Sequence, residues 1–163
     1  AVLSLAPGLQ VQGFIESARS AGWDVTPAAG DAAIPFALTM DGRERVRAWR
    51  GALGPVLERV VLVLGQAGTA NEAAAAAGVP VVAFENPRER KPMWYRRRQR
   101  ALLGDALAVF PERPDDATAA VSALLRDPQR RAHMSATGRM RMGEPGAARR
   151  IAERIAATAR EIA

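Results

Sequence analysis

The sequence predicts an α/β fold, a Rossmann-like parallel sheet with helices on both faces. Three observations predict it. Short apolar runs alternate along the chain with stretches whose apolar residues recur at helical spacing. One of those runs, Val60–Leu64 (VVLVL), is continuously aliphatic rather than alternating, the pattern of a central parallel strand covered on both faces. Glycine and proline punctuate the boundaries, with no internal repeat and no linker long enough to divide domains, so a single α/β domain is expected over residues 1–163.

Taken in order, Ala1–Ala6 (AVLSLA) is an apolar run ended by Pro7-Gly8, a buried strand and a turn. Val11, Phe14, Ile15 and Ala18 recur at helical spacing, and Gly22 closes that helix. Trp23–Val25 reads as a second short strand, and Ile34–Met40 is extended in character. Asp41-Gly42 supplies the positive φ angles of a tight hairpin turn, which makes Glu44–Trp49 a returning strand. The competing reading, from the spacing of Val46, Trp49 and Leu53, is a helix over Arg43–Leu53; the turn signal favours the hairpin. After Val60–Leu64 come an alanine helix over Thr69–Ala77 stopped by Gly78, a buried strand over Val79–Phe84, and an arginine-rich helix over Pro92–Leu103. Leu107–Phe110 is a short strand, and Ala117, Ala120, Val121, Leu124 and Leu125 fit an amphipathic helix that Asp115-Asp116 begin. Asp127-Pro128 caps and opens another helix. Gly143–Gly146 interrupts before a last helix whose buried face is expected at Ile151, Ile155 and Ile162.

Composition narrows the chemistry. Of 163 residues, 48% are hydrophobic and 25% charged, as in a folded domain with a real core. There is no cysteine, which excludes thiolate catalysis, disulfides and thiolate metal sites. No apolar run approaches the roughly 18–20 residues of a membrane span. The start carries neither a basic n-region nor a cleavage site, so a cytoplasmic location is expected, extending to the inner face of the membrane. The net charge of +6 raises the question of nucleic acid. Lys91 is the only lysine, and arginine, alanine, glycine and proline are abundant together, so part of the basicity is compositional. Nucleic acid is therefore a minor expectation.

In open α/β sheets, ligands bind outside the C-terminal ends of the strands, where loops lead into helix N-termini. The junction Leu64–Glu72 follows the most apolar run and opens directly into a helix. Its small residues let a ligand approach the backbone, and the N–H groups of Gly68, Thr69 and Ala70 with the helix dipole form an anion site suited to a diphosphate. Glu72 stands one turn in, within reach of ribose hydroxyls. The alternative is a packing device in which Gly and Ala permit close approach and Thr69 is an N-cap. No Gly-Lys-Ser/Thr follows, so this is no Walker A loop, and the three-glycine dinucleotide fingerprint is incomplete.

The stretch VVLVLGQAGTANEAAAAAGVPVVAFENP resembles the donor-binding motif of GT-B glycosyltransferases, and most of all that of lipid-A-disaccharide synthase and its relatives. RMGEPGAARRIA (Arg141–Ala152) resembles the end of those relatives, and the likeness runs in order over roughly residues 55–160. The resemblance implies the C-terminal half of a GT-B enzyme, lacking its first strand–helix unit, with Ala1–Ala6 as the domain's second strand. The chain begins without methionine, and a fragment of a larger two-domain enzyme is expected, its acceptor domain and catalytic base upstream. The implied substrate is a UDP-sugar, with no separate cofactor and no metal. The donor-binding set it implies is Gly65, Gln66, Gly68, Thr69, Ala70, Asn71, Glu72, Asn86, Gly51 and Leu53: diphosphate on the amides of Gly68 and Thr69, ribose near Glu72, uracil against the loop Arg50–Gly54. The acidic residue of several GT-B enzymes falls at Ala73, and one residue turns a helical side chain by about 100°, so the amides are the stronger expectation. Asn86 and Gln99 are the only amides near the place where these enzymes present one to the donor sugar.

The basic run Arg88, Arg90, Lys91, Arg96, Arg97, Arg98 and Arg100, with Trp94 and Tyr95, reads first as a solvated helix face. The second reading is contact with donor phosphate, a lipid-linked acceptor or an anionic membrane surface through Arg88–Arg100; RNA is a third. His133, the only histidine, has no metal-site partners and is expected to be structural or exposed. Met134, Met140 and Met142 are expected to fill the core. The function expected is donor binding for a hexosyltransferase that passes a hexosamine-type sugar to an acceptor, lipid-linked by resemblance. A UDP-sugar 2-epimerase of the same architecture and a non-catalytic α/β binding module are the alternatives.

Overall fold

The computed structural model describes residues 1–6, 8–27, 33–66, 68–85, 92–110 and 114–162. The chain divides into two compact units, Ala1–Val56 and Leu57–Ala163.

The first unit holds β1 (Val2–Ser4), α1 (Val11–Ser20), β2 (Asp24–Pro27), β3 (Phe36–Met40) and β4 (Arg43–Trp49), in a mixed sheet of order β1-β4-β3-β2. The hairpin expected at Asp41-Gly42 is present. Both residues take positive φ, 53° and 69°, and Met40 pairs with Arg43 across the turn. Such a turn matches the twist of antiparallel strands, so the helix alternative over Arg43–Leu53 is ruled out. α1 ends where expected: with Gly22 at φ 86°, its N–H reaches Arg19 O at 2.9 Å and that of Trp23 reaches Ala18 O at 3.0 Å. This is a Schellman ending, in which glycine takes the left-handed position. Trp23, just beyond it, joins Phe14 and Ile15 around a core of Leu5, Ala18, Phe36, Leu38 and Ala48. The rings of Phe14 and Phe36 lie 5.9 Å apart. β1 runs parallel to β4 at the sheet's end, with Val2 47% exposed, so the buried strand expected at Ala1–Ala6 is an edge strand of which only Leu5 is core. Pro7, expected in the following turn, lies outside the described residues.

A short helical turn, α2 (Gly54–Leu57), crosses the sequence boundary. The second unit then runs β5 (Val63–Leu64), α3 (Gly68–Ala76), β6 (Val81–Phe84), α4 (Pro92–Leu103), a 3-10 turn over Gly104–Ala106, β7 (Leu107–Phe110), α5 (Pro114–Arg126), α6 (Pro128–Met142) and α7 (Ala147–Ile162). Its three strands are parallel, in the order β5-β6-β7. The α/β class and the strand–helix alternation are as expected. The single parallel sheet is not: the described strands form two sheets, one of them mixed. The reason is the hairpin itself, because strands joined by a two-residue turn must run antiparallel.

The central strand is β6, not the VVLVL run. Every residue of β6 is buried. Val82 and Phe84 pack with Leu124 of α5 and Met134 of α6, while Val81 and Ala83, on the opposite face, have no exposed surface. In β5 only Val63 and Leu64 pair, and Val61 and Leu64 are each 61% exposed. On the side of Val61 the ladder stops for want of a partner. Pro80, next along the edge of β6 that bonds β5, has no N–H to give, and just before it the N–H of Val79 closes the Schellman ending of α3 on Ala74 O at 2.8 Å.

α6 locks the helices together. Asp127 caps it as expected, accepting a hydrogen bond from Arg130 N at 2.8 Å with Pro128 in the first turn. Gly138 lies against α3 so closely that a Cβ there would meet Ala75 O at 2.5 Å. Of the three methionines expected in the core, Met134 is buried but Met140 is 72% exposed and Met142 half-buried, because α6 turns only one stripe inward. The last helix departs most from expectation. α7 is exposed at every residue whose side chain is described, with Ile151 61% and Ile155 64% exposed; the side chain of Ile162 lies outside the description. Helical spacing gives an apolar stripe, not the element that covers it. Among the described residues no helix is long and apolar enough to cross a membrane.

Candidate functional site at the first turn of α3

The junction singled out in the sequence lies between β5 and α3. Gly65 ends the strand, its N–H donating to Val82 O at 2.9 Å and so continuing the ladder. Gly68 opens α3, and the N–H groups of Gly68, Thr69 and Ala70, in its first turn, have no acceptor within the helix. These donors lie at the C-terminal end of a parallel strand, where the α/β architecture collects ligands. Thr69 and Gln66 are exposed, Gly68, Ala70 and Glu72 half-buried, and Ala67 lies outside the described residues.

Beneath this turn lies a buried amide pair. Asn71 is 0% and Gln99 3% exposed, the only polar side chains that the described residues bury so fully. Asn71 Nδ2 donates to Gly65 O and to Gln99 Oε1, each at 3.3 Å, and Gln99 Nε2 donates to Gly68 O at 3.4 Å. Together the two side chains tie the last residue before the turn to the first residue of the helix. The bonds are long, each weaker than one at the usual 2.9 Å, but in a buried setting their loss leaves polar groups without water. Asn71 Oδ1 has no hydrogen-bond partner among the described residues and lies directly under Gly65, where it occupies the space a Cβ would need. Two acceptors around Nδ2 fix the amide's orientation. Gly65 is thus matched to Asn71, and Asn71 faces the interior rather than the open side of the turn.

Gln99 stands four residues before Leu103 on α4, and both are buried. Gln99, expected near a donor sugar, lies under the turn. The signal was available: a polar residue at a core position of a helix needs a buried partner. The other residues of the basic run divide. Arg97, Arg98 and Arg100 are exposed on α4, as on a solvated face; the side chains of Trp94, Tyr95 and Arg96 are not described, and Asn86, Arg88, Arg90 and Lys91 lie outside the described residues.

Gly51 and Leu53, expected against uracil, belong to the first unit. There the Trp49 indole folds back over their loop, its Nε1 donating to Ala52 O at 3.0 Å. A Cβ on Gly51 would come within 3.2 Å of that ring, so the glycine admits the indole; Leu53 is half-buried. A concavity of about 450 Å3 lies beside this loop, lined by Leu5, Gly8, Leu9, Gln10, Arg50 and Gly51. His133 is exposed, its Nε2 3.5 Å from Asp105 Oδ2, and among the described residues no cluster of His, Cys, Asp and Glu is suited to a metal ion. Compared with known proteins, the chain matches no family model, no curated protein and no solved structure.

Proposed function

We propose that this chain binds a nucleoside-diphosphate sugar, a UDP-sugar, through the first turn of α3. In this proposal it is the donor half of a hexosyltransferase that passes a hexosamine-type sugar to a lipid-linked acceptor. The observation that carries it is the braced turn. Asn71 and Gln99 tie Gly65 to Gly68 from below, and the amides of Gly68, Thr69 and Ala70 are first-turn donors with no acceptor within the helix. Diphosphate oxygens are the ligand chemistry that such donors and the positive end of the helix dipole favour. The same donors stabilise charge as it builds on a departing nucleoside diphosphate, which is the electrostatic part of glycosyl transfer. The resemblance of residues 55–160 to GT-B donor domains supports the sugar nucleotide over other anions, and it assigns the catalytic base to a separate acceptor domain. The half-buried Glu72 remains within this proposal as a secondary ribose contact.

Gly68→Val tests it. An isopropyl group at the first helical residue blocks the approach of a diphosphate to the amides, so UDP binding is lost while the far-UV circular dichroism is kept. Unchanged affinity for UDP removes the site from this turn.

A further inference from the structure

We infer that Asn71 and Gln99 are positioning residues of the anion site, holding the α3 first turn in its binding geometry before any ligand arrives. The inference rests on the proposed function above and deepens it, by assigning the preorganisation of the site to two side chains that touch no ligand. Three observations lead to it. The pair spans the turn, joining Gly65 O to Gly68 O through Asn71 Nδ2, Gln99 Oε1 and Gln99 Nε2. Both side chains are buried, where an apolar pair of similar volume would satisfy packing alone. The fit is also specific, since Gly65 has no Cβ where Asn71 Oδ1 sits, although that oxygen has no hydrogen-bond partner among the described residues.

The physical consequence follows from the cost of ordering a loop on binding. A turn free to move spends part of the ligand's interaction energy on becoming ordered; a turn already tied at both ends does not. Amides aimed at an anion act best when fixed, because no reorganisation accompanies the arrival of charge. Gln99 comes from α4, so the brace also ties the position of that helix to the turn.

The test uses the whole chain as wild type, Gln99→Met, Asn71→Ser and the double variant. It reads affinity for UDP and for inorganic pyrophosphate, and in ligand-free protein the backbone amide signals of Gly65, Gly68 and Thr69. Methionine keeps the volume of Gln99 and removes its hydrogen bonds; serine at 71 breaks the same network from the other side, so either folded variant reads the outcome. Each single variant is expected to bind both ligands about tenfold more weakly, the equivalent of one lost hydrogen bond. The double variant is expected to be no worse than the weaker single, because the two residues act as one unit. The ligand-free amide signals are expected to shift in every variant. A purely structural role lowers the unfolding midpoint but leaves affinities within twofold of wild type and those amides in place, and that result overturns the inference. If wild type binds pyrophosphate but not UDP and the variants weaken that binding, the inference stands and the sugar-nucleotide reading falls; if wild type binds neither ligand, both fall.

Discussion

Asn71 and Gln99 share a hydrogen bond of 3.3 Å across 28 residues of sequence, both buried beneath the turn that opens α3. The bond joins α3 to α4 at the point where β5 ends, and it gives the smallest residue nearby a reason to be there.

That residue is Gly65. Gly65→Ala puts a methyl group where Asn71 Oδ1 lies, and Asn71 must move away from Gly65 O and Gln99. A loss of about 1–3 kcal/mol of stability is expected from the buried groups left unpaired, measured as a lower urea midpoint at unchanged slope.

Gly138→Ala is expected to destabilise the second unit for a different reason. The added Cβ meets a backbone oxygen, Ala75 O, at 2.5 Å, and a helix backbone yields less than a side-chain tip. Overpacking of this kind costs about 1–3 kcal/mol. Chemical denaturation of Gly138→Ala beside Gly13→Ala, an α1 position with open space around it, separates the clash from the mere gain of a methyl group.

Asp127→Ala removes the acceptor for Arg130 N and leaves Pro128 to open α6 uncapped. The expected loss is about 0.5–2 kcal/mol, read by thermal or urea unfolding. Asp127→Asn keeps an acceptor oxygen and is expected to recover most of it.

Ile151→Ser with Ile155→Ser carries the opposite expectation. Both side chains are mostly exposed on α7, so the isolated chain is expected to change by no more than about 0.5 kcal/mol. A loss of several kcal/mol on urea unfolding would mean that α7 is packed against the core.

Much of the fold was legible because local chemistry decides it. Asp41-Gly42 dictated a hairpin, Gly22 and Gly78 the helix ends, and Asp127-Pro128 a helix start, and each is where the sequence put it. The bounds of α4 and β7 were legible for the same reason, being set by proline, glycine and short apolar runs. What failed depended on partners distant in sequence. VVLVL has the composition of a central strand, yet its neighbour offers Pro80, which has no N–H, so only Val63 and Leu64 of the run pair. The stripe of α7 announces an apolar face, but no pattern within a helix says what covers it. At the site, the small residues at Gly65 and Gly68 were legible as a close approach, whereas the approaching group at Gly65 is a side chain of the same chain. Gln99 is legible as a polar residue one turn before the core residue Leu103, but the partner it meets, Asn71, lies 28 residues away.

In the proposed function the first-turn amides of α3 receive a nucleoside diphosphate. The direct measurement is a UDP titration of the isotopically labelled chain, following the backbone amide signals of Gly68, Thr69 and Ala70. Saturable shifts centred on these three residues are expected, reproduced by pyrophosphate and absent in Gly68→Val. Amides that stay unmoved at millimolar UDP, or shifts centred elsewhere in the chain, would contradict it.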